Sequence, residues 1–351
     1  MFDTIYIYHQ LTRVEYNDLF NQLNKLSYEL SGKKLYRDRD DRNAHVTNCL
    51  SSIGIQSIRL RHYKPVGYRA VEVLLRPRLL VEPGNYIDPF HIKDLETLRK
   101  NFNVINKPFG LPDLLLWKTK RIDAAIDILL SGEDIFNYMF LLKKCNIPEI
   151  MKDNILTIKY LESPHNVYLS SKNITVNFYC RYTALVNKVK EGLLKEEVDI
   201  SKAKNKLRLE VQYKKCTGKL YKFLNAEYSR HLITKYYNEV IGTGDYYKLD
   251  EALSIVDSKI SGPLSRTRTR MFIKGIAKYG TVHNAKQVFI QSNKKSGNLA
   301  VKDFNKYIHL LNGIGVNPVT IAESMKLNSL KNLNSRISEY YNHLYIDSSH
   351  F

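Results

Sequence analysis

Four segments of this chain alternate apolar and polar residues with a period of two, the pattern of a strand that buries one face. In Val71-Glu72-Val73-Leu74-Leu75 the polar position is Glu72, and in Arg121-Ile122-Asp123-Ala124-Ala125-Ile126-Asp127 the polar positions are Arg121, Asp123 and Asp127. Ile174, Val176 and Phe178 lie opposite Thr175, Asn177, Tyr179 and Arg181, and Leu207, Leu209 and Val211 lie opposite Arg208, Glu210 and Gln212. If these strands share a sheet, Glu72, Asp123, Tyr179, Arg181, Arg208 and Glu210 converge on one surface. Phe2 to Tyr8 predicts an opening strand. Tyr16, Leu19, Phe20, Leu23, Leu26 and Leu30 recur at helical spacing and predict an amphipathic helix over 14–31.

Further strands are predicted at 53–63 and 68–81, the second closing at the turn signals Glu82-Pro83-Gly84-Asn85. Helices are predicted at 92–104, from a Ser131 cap through Lys144, and at 183–197. The charge-dense stretch from Lys33 to Asn48 reads as an exposed linker. Beyond Leu220 strand signals fade, and short helices are predicted at 248–259, 264–279, 284–291, 301–312 and 319–325. The irregular mixture of strands and helices gives an α+β class, an antiparallel-rich sheet with flanking helices followed by a mainly helical C-terminal region. The change of character sets a boundary near residue 235, giving domains 1–235 and 236–351.

Charge narrows the function. The 351 residues hold 54 Lys and Arg against 35 Asp and Glu, a formal net charge of +19. Such an excess raises encounter rates with polyanions, nucleic acid first among them. No stretch approaches the roughly 20 apolar residues that span a bilayer, and the N-terminal residues lack a signal pattern, so no membrane association and a cytoplasmic location are expected. The four cysteines, Cys49, Cys145, Cys180 and Cys216, are too scattered for a metal knuckle or a disulfide framework, and free thiols are expected.

Carboxylates on separate strands suit a hard divalent cation, Mg²⁺ or Mn²⁺, and Glu72, Asp123 and Glu210 are the predicted ligands. The ten histidines contain no His-x-His pair, leaving His62, His91 and His165 as lone candidates. Tyr179 stands out among 25 tyrosines because it shares the polar side of its strand with Asn177 and Arg181. A phenol becomes a nucleophile when a base takes its proton or a cation stabilises the phenolate. Tyr168, Tyr182 and the pairs Tyr236-Tyr237 and Tyr246-Tyr247 are its competitors. Arg266, Arg270, Lys274 and Lys278 recur every four residues and form a basic stripe suited to DNA phosphates.

At these residues the chain resembles the rolling-circle replication initiators of filamentous phages and related plasmids, the gene II and gene X protein family. The matching pieces keep the family's order: Val71-Glu72-Val73 before Arg76-Pro77-Arg78, then Arg121-Ile122-Asp123-Ala124, then Asn177-Phe178-Tyr179-Cys180-Arg181, then Leu207-Arg208-Leu209-Glu210-Val211. A looser echo runs through 266–280 and from Phe304-Asn305-Lys306-Tyr307 to Gly315. The resemblance implies a HUH-endonuclease-like nickase domain and a phage or plasmid replication protein of a bacterial host cell. It implies that Tyr179 cuts one origin strand, forms a 5′-phosphotyrosyl link and later rejoins the displaced strand. Asp123, Glu72 and Glu210 then match the family's acidic positions, with Arg208 and Arg181 beside them. A metal-dependent nickase working on origin duplex and single strand, with host polymerase and helicase as partners, is expected. The chain lacks the paired metal-binding histidines common in the wider superfamily, and Cys180-Arg181 departs from the related plasmid pattern. The competing expectations are a non-enzymatic origin-binding or partition protein, and a conjugative relaxase.

Overall fold

The computed structural model describes residues 1–148, 151, 166–194, 198–292 and 297–348. Its centre is a nine-stranded sheet in the order β2-β3-β4-β5-β1-β6-β9-β8-β7. The strands are β1 (Phe2–Gln10), β2 (Tyr36–Arg37), β3 (Ala44–Thr47), β4 (Ile55–Tyr63), β5 (Tyr68–Leu75), β6 (Lys118–Leu129), β7 (Asn166–Ser170), β8 (Ile174–Cys180) and β9 (Lys206–Tyr213). Every pairing is antiparallel. Eleven α-helices are described: α1 (Arg13–Ser31), α2 (Pro77–Val81), α3 (Leu95–Asn106), α4 (Gly132–Leu142), α5 (Arg181–Lys190), α6 (Ala226–Val240), α7 (Leu249–Lys259), α8 (Pro263–Tyr279), α9 (Val282–Ser292), α10 (Gly297–Gly313) and α11 (Asn334–Ser348). A small pair, β10 (Tyr246–Tyr247) and β11 (Ser329–Leu330), ties the C-terminal part together. The α+β class with an antiparallel sheet is therefore present. Among the described residues, no helix is long and apolar enough to cross a membrane.

The apolar faces do what their alternation dictates. Ile122, Ala124 and Ile126 of β6, Leu207, Leu209 and Val211 of β9, and Val176 and Phe178 of β8 are all buried. Helix α6 packs on β6 and β9, and Phe178 meets Tyr237 of α6 at 5.9 Å between ring centroids. The helix packed on the opposite, polar face at β8 and β9 is α5. Helix α1 begins with a capping box, Thr12 accepting from the Glu15 amide while Glu15 accepts from that of Thr12.

The structure departs from the sequence reading at several elements. Residues 33–48 are exposed at most positions up to 43, as expected, but they are not an unstructured linker. They form β2 and β3, and their acids pair with β4: Asp38 with Arg59 at 2.5 Å and Asp41 with Arg61 at 2.7 Å. Charge pairing across strands produced the same composition as a solvated loop. The strand expected to reach Val81 ends at Leu75, because Pro77 has no amide to give a ladder and instead opens α2. Gly54 makes room for this helix; a Cβ there would sit 2.7 Å from the Leu80 nitrogen, and its φ of +99° favours glycine. Segment 319–325 is not helical. Asn317 turns it by accepting from the Val319 amide and donating to the Ile241 carbonyl, and Lys248 and Ile321 form a bridge. Strand β7 and helices α6 and α11 were not anticipated. Residue 235 falls inside α6, and one apolar core runs continuously from Met1 through the sheet to Phe272, Val316 and Tyr341. The end of the helix expected at 183–197, and His165, lie outside the described residues.

Candidate active site

Register places the polar side chains of four neighbouring strands, β6, β9, β8 and β7, in rows. Asp127, Arg208, Tyr179 and Asn166 form one row, Glu210 and Asn177 the next, and Asp123, Gln212 and Thr175 a third. With α5 as a wall, Tyr179 and Asn166 of the first row, the second row, and Asp123 and Gln212 of the third bound a cleft of about 550 Å³. Its lining includes Tyr179, Glu210, Asp123, Arg181, Arg121 and Lys188. Sequence patterning therefore anticipated four of its side chains, Tyr179, Glu210, Asp123 and Arg181, and the fold brings these four to one place.

The phenol of Tyr179 donates to Glu210 Oε2 at 2.9 Å and accepts from Arg181 Nη1 at 3.3 Å. Burial raises its pKa, the Glu210 charge raises it further, and Arg181 and Arg208 oppose the shift. The resting group is a protonated phenol aimed at a carboxylate. Burial also raises the Glu210 carboxyl, with the charge of Asp3 adding to the effect. Asp123 is held well above the ordinary carboxylate range by burial; Arg121 opposes the rise and Glu210 adds to it. Asp123 Oδ2 accepts from Arg121 Nη2 at 2.8 Å. Lys188, on α5, has its pKa lowered to about 8 by burial and by Arg76 and Arg181.

The remaining predicted residues lie elsewhere. Arg181 is not a strand residue; it opens α5, which turns its guanidinium back across the end of β8. It donates to the carbonyls of Tyr86 at 2.5 Å and Ile87 at 3.2 Å. Arg208 is fully buried beneath the row and holds Asp127 by two bonds, of 2.6 and 2.8 Å, and Asp3 by one of 2.8 Å. It positions the floor of the cleft and does not line it. Glu72 does not join Asp123 and Glu210. Strand β1 separates β5 from β6, and the Glu72 oxygens are taken by Arg61 at 2.9 Å and by close contacts with Tyr6 and Lys120. The basic stripe is divided: Arg266 bonds the Ile260 carbonyl and Arg270 pairs with Asp257, whereas Lys274 and Lys278 are exposed. His62 packs on Tyr16, and His91 bonds Tyr340. Tyr236, Tyr237 and Tyr246 are core residues. The four cysteines are free, as expected.

Among the described residues no cluster of three or more His, Cys, Asp or Glu side chains assembles as a metal site. The cleft nevertheless fits a hard cation. Asp123 Oδ1, Asn177 Oδ1 and Asn166 Oδ1 are buried without hydrogen-bond partners, and all three residues line it beside Glu210. Unsatisfied oxygens next to two carboxyls of raised pKa are the environment that a divalent ion relieves. Sequence reading named Asn177 only as a neighbour of Tyr179, and it missed Asn166 and Lys188. Asn177 was visible as a polar-face residue, but nothing in the alternation marked β7. No protein-family model matches the chain, and no curated protein and no solved structure matches it either.

Proposed function

We propose that the chain is a tyrosine-dependent DNA nickase and strand-joining enzyme of the rolling-circle initiator kind, with a HUH-endonuclease-like catalytic sheet. One observation carries this reading: the Tyr179 phenol is held between a carboxylate that accepts its proton and a guanidinium that faces its oxygen. The net charge of +19 supplies the affinity for a polyanion.

In the proposed reaction Glu210 takes the phenolic proton as the Tyr179 oxygen forms a bond to the phosphorus of the scissile phosphodiester. The bond from phosphorus to the 3′-oxygen breaks, and that oxygen takes a proton from water. The 5′-phosphate is left on Tyr179, and the reverse steps join a 3′-hydroxyl to it without an external energy source. A raised carboxyl pKa makes Glu210 a stronger base near neutrality. Arg181, Arg121 and Lys188 face the charge of the entering phosphate. Asp123, Asn177, Asn166 and Glu210 are the residues that would hold a Mg²⁺ or Mn²⁺ ion, which when bound neutralises phosphate charge.

A second reading, a DNA-binding protein without chemistry, is favoured by the 8 % exposure of Tyr179. One experiment separates the two. The chain is incubated with a pool of single-stranded oligonucleotides and Mg²⁺, denatured and analysed by mass spectrometry. A nucleotide adduct on Tyr179 supports the nickase; bound DNA with no adduct selects the second reading.

A further inference from the structure

A second concave surface lies on the sheet beyond Arg121, formed by β1, β5, β6 and the segment that follows β9. It encloses about 600 Å³ and is lined by Tyr6, Tyr8, Tyr68, Lys120, Lys214 and Lys215 among others. Three aromatic rings from adjacent strands therefore stand among ammonium groups. Lys120 lies 5.2 Å from the Tyr6 ring and 5.6 Å from that of Tyr8, and Lys118 lies 5.9 Å from Tyr8. The acid nearest these rings, Glu72, is already consumed by Arg61, Tyr6 and Lys120. Lys118 bonds the neutral oxygen of Gln10 and Lys214 that of Thr175, and neither forms an ion pair among the described residues. Arg121 lines both this surface and the cleft of Tyr179, so the two adjoin at that residue.

We infer that this surface is a platform for single-stranded DNA, on which bases stack against Tyr8 and Tyr68 while the phosphates follow Lys118, Lys214 and Lys215 toward Arg121 and the cleft. Aromatic faces set among cations bind unpaired bases of any sequence, whereas a duplex keeps its base faces hidden. Partly exposed tyrosines flanked by Lys118, Lys214 and Lys215, which form no ion pair among the described residues, match that chemistry better than they match a duplex backbone, which needs no rings. The inference rests on the nickase reading for the identity of the strand. It concerns binding, however, and is tested without any cleavage.

The test uses the full chain carrying Tyr179→Phe in the presence of a chelator, so that no chemistry occurs, with a fluorescein-labelled oligothymidylate read by anisotropy. Adding Tyr8→Leu and Tyr68→Leu together is expected to weaken binding about tenfold to a hundredfold. The salt dependence and the affinity for a duplex of equal length should not change. Tyr8→Phe with Tyr68→Phe, which keeps the rings, should restore wild-type affinity. Lys118→Ala with Lys215→Ala should flatten log K against log salt by about 0.7 for each lost phosphate contact. An oligonucleotide bearing 5-iododeoxyuridine should photo-crosslink to Tyr8 or Tyr68.

Undiminished oligothymidylate binding by the leucine pair overturns the platform. So does an equal loss of duplex binding, crosslinking confined to other surfaces, or displacement of the oligonucleotide by polyglutamate at lower charge concentration than by DNA. The two proposals fail separately. Ring-dependent binding with no Tyr179 adduct removes the nickase and leaves the platform; an adduct with ring-independent binding does the reverse.

Discussion

Arg181 and Arg208, which come from different elements, donate to the same carbonyl oxygen, that of Ile87, at 3.2 and 2.5 Å. The turn after α2 is thereby fastened to both the head of α5 and the floor of the cleft. Arg181 reaches the Tyr179 hydroxyl from this anchorage, so the position of the phenol depends on a loop distant in sequence.

Removing Arg208 tests how much the floor depends on it. Its charge is fully buried and faces Asp127 and Asp3, so Arg208→Met leaves two acids without their partner. Breaking a buried pair from one side costs about 3–5 kcal/mol. Chemical denaturation should show that loss, and Arg208→Lys should recover only part of it because the fork on Asp127 is bidentate. A variant as stable as wild type would mean that Asp127 and Asp3 find other donors.

Tyr179 and Glu210 should fail in different ways. Tyr179→Phe removes the oxygen alone and should abolish the adduct while leaving the melting temperature within a few degrees. Glu210→Gln keeps an acceptor beside the phenol but not its basicity, and should slow adduct formation about a hundredfold or more, in line with losses of a general base. Quenched time courses with a labelled oligonucleotide distinguish the two. An adduct mapped to Tyr168 or Tyr182 would reassign the nucleophile.

The Asp123 carboxyl titrates upward from 3.8 when the chain folds, because burial disfavours its charge. A group whose pKa rises on folding contributes stability that is complete below the unfolded value and is lost as pH climbs through the folded one. Without divalent cation, the melting temperature of the wild type should therefore fall more steeply above pH 4 than that of Asp123→Asn. At pH 8 added Mn²⁺ should raise the wild-type melting temperature and leave that of Asp123→Asn nearly unchanged. Parallel pH curves and equal Mn²⁺ responses would refute the ion site.

Helix α8 yields a divided outcome. Lys274→Ala with Lys278→Ala should flatten the salt dependence of duplex binding by about 0.9 per phosphate contact without loss of stability. Arg266→Ala with Arg270→Ala should instead lower stability, because these side chains bond Ile260 and Asp257. Equal effects of the two pairs on the salt slope would restore the stripe as a single DNA-binding face.

Strand alternation made much of this site readable in advance. Because side chains repeat every two residues, in-register pairing of β6, β9 and β8 necessarily put Asp123, Glu210 and Tyr179 on one face. Which strands become neighbours is a non-local fact, and it decided against Glu72, whose alternation was equally regular. Arg181 illustrates a boundary problem, since continuing the period past Cys180 predicted the correct face but the wrong element. Strand β7 was unreadable because Val167 and Leu169 offer only two apolar positions, and its contribution, Asn166, is an ordinary polar residue until a partner strand places it. Arg266 and Arg270 show that a helical stripe of charge reveals direction but not occupancy; whether an acid stands opposite is written elsewhere in the chain.

The large apolar core that joins the sheet to the C-terminal helices also governs how the molecule comes apart. With α6 lying on β6 and β9 while its own length crosses residue 235, neither end of the chain has a separate interior to melt on its own. Heating should therefore produce one cooperative transition, and a fragment ending at 235 would carry a helix cut short against the sheet that supports the cleft. Damage to the distal helices would reach Tyr179 through the population of unfolded molecules, with no signal passing along any path between them.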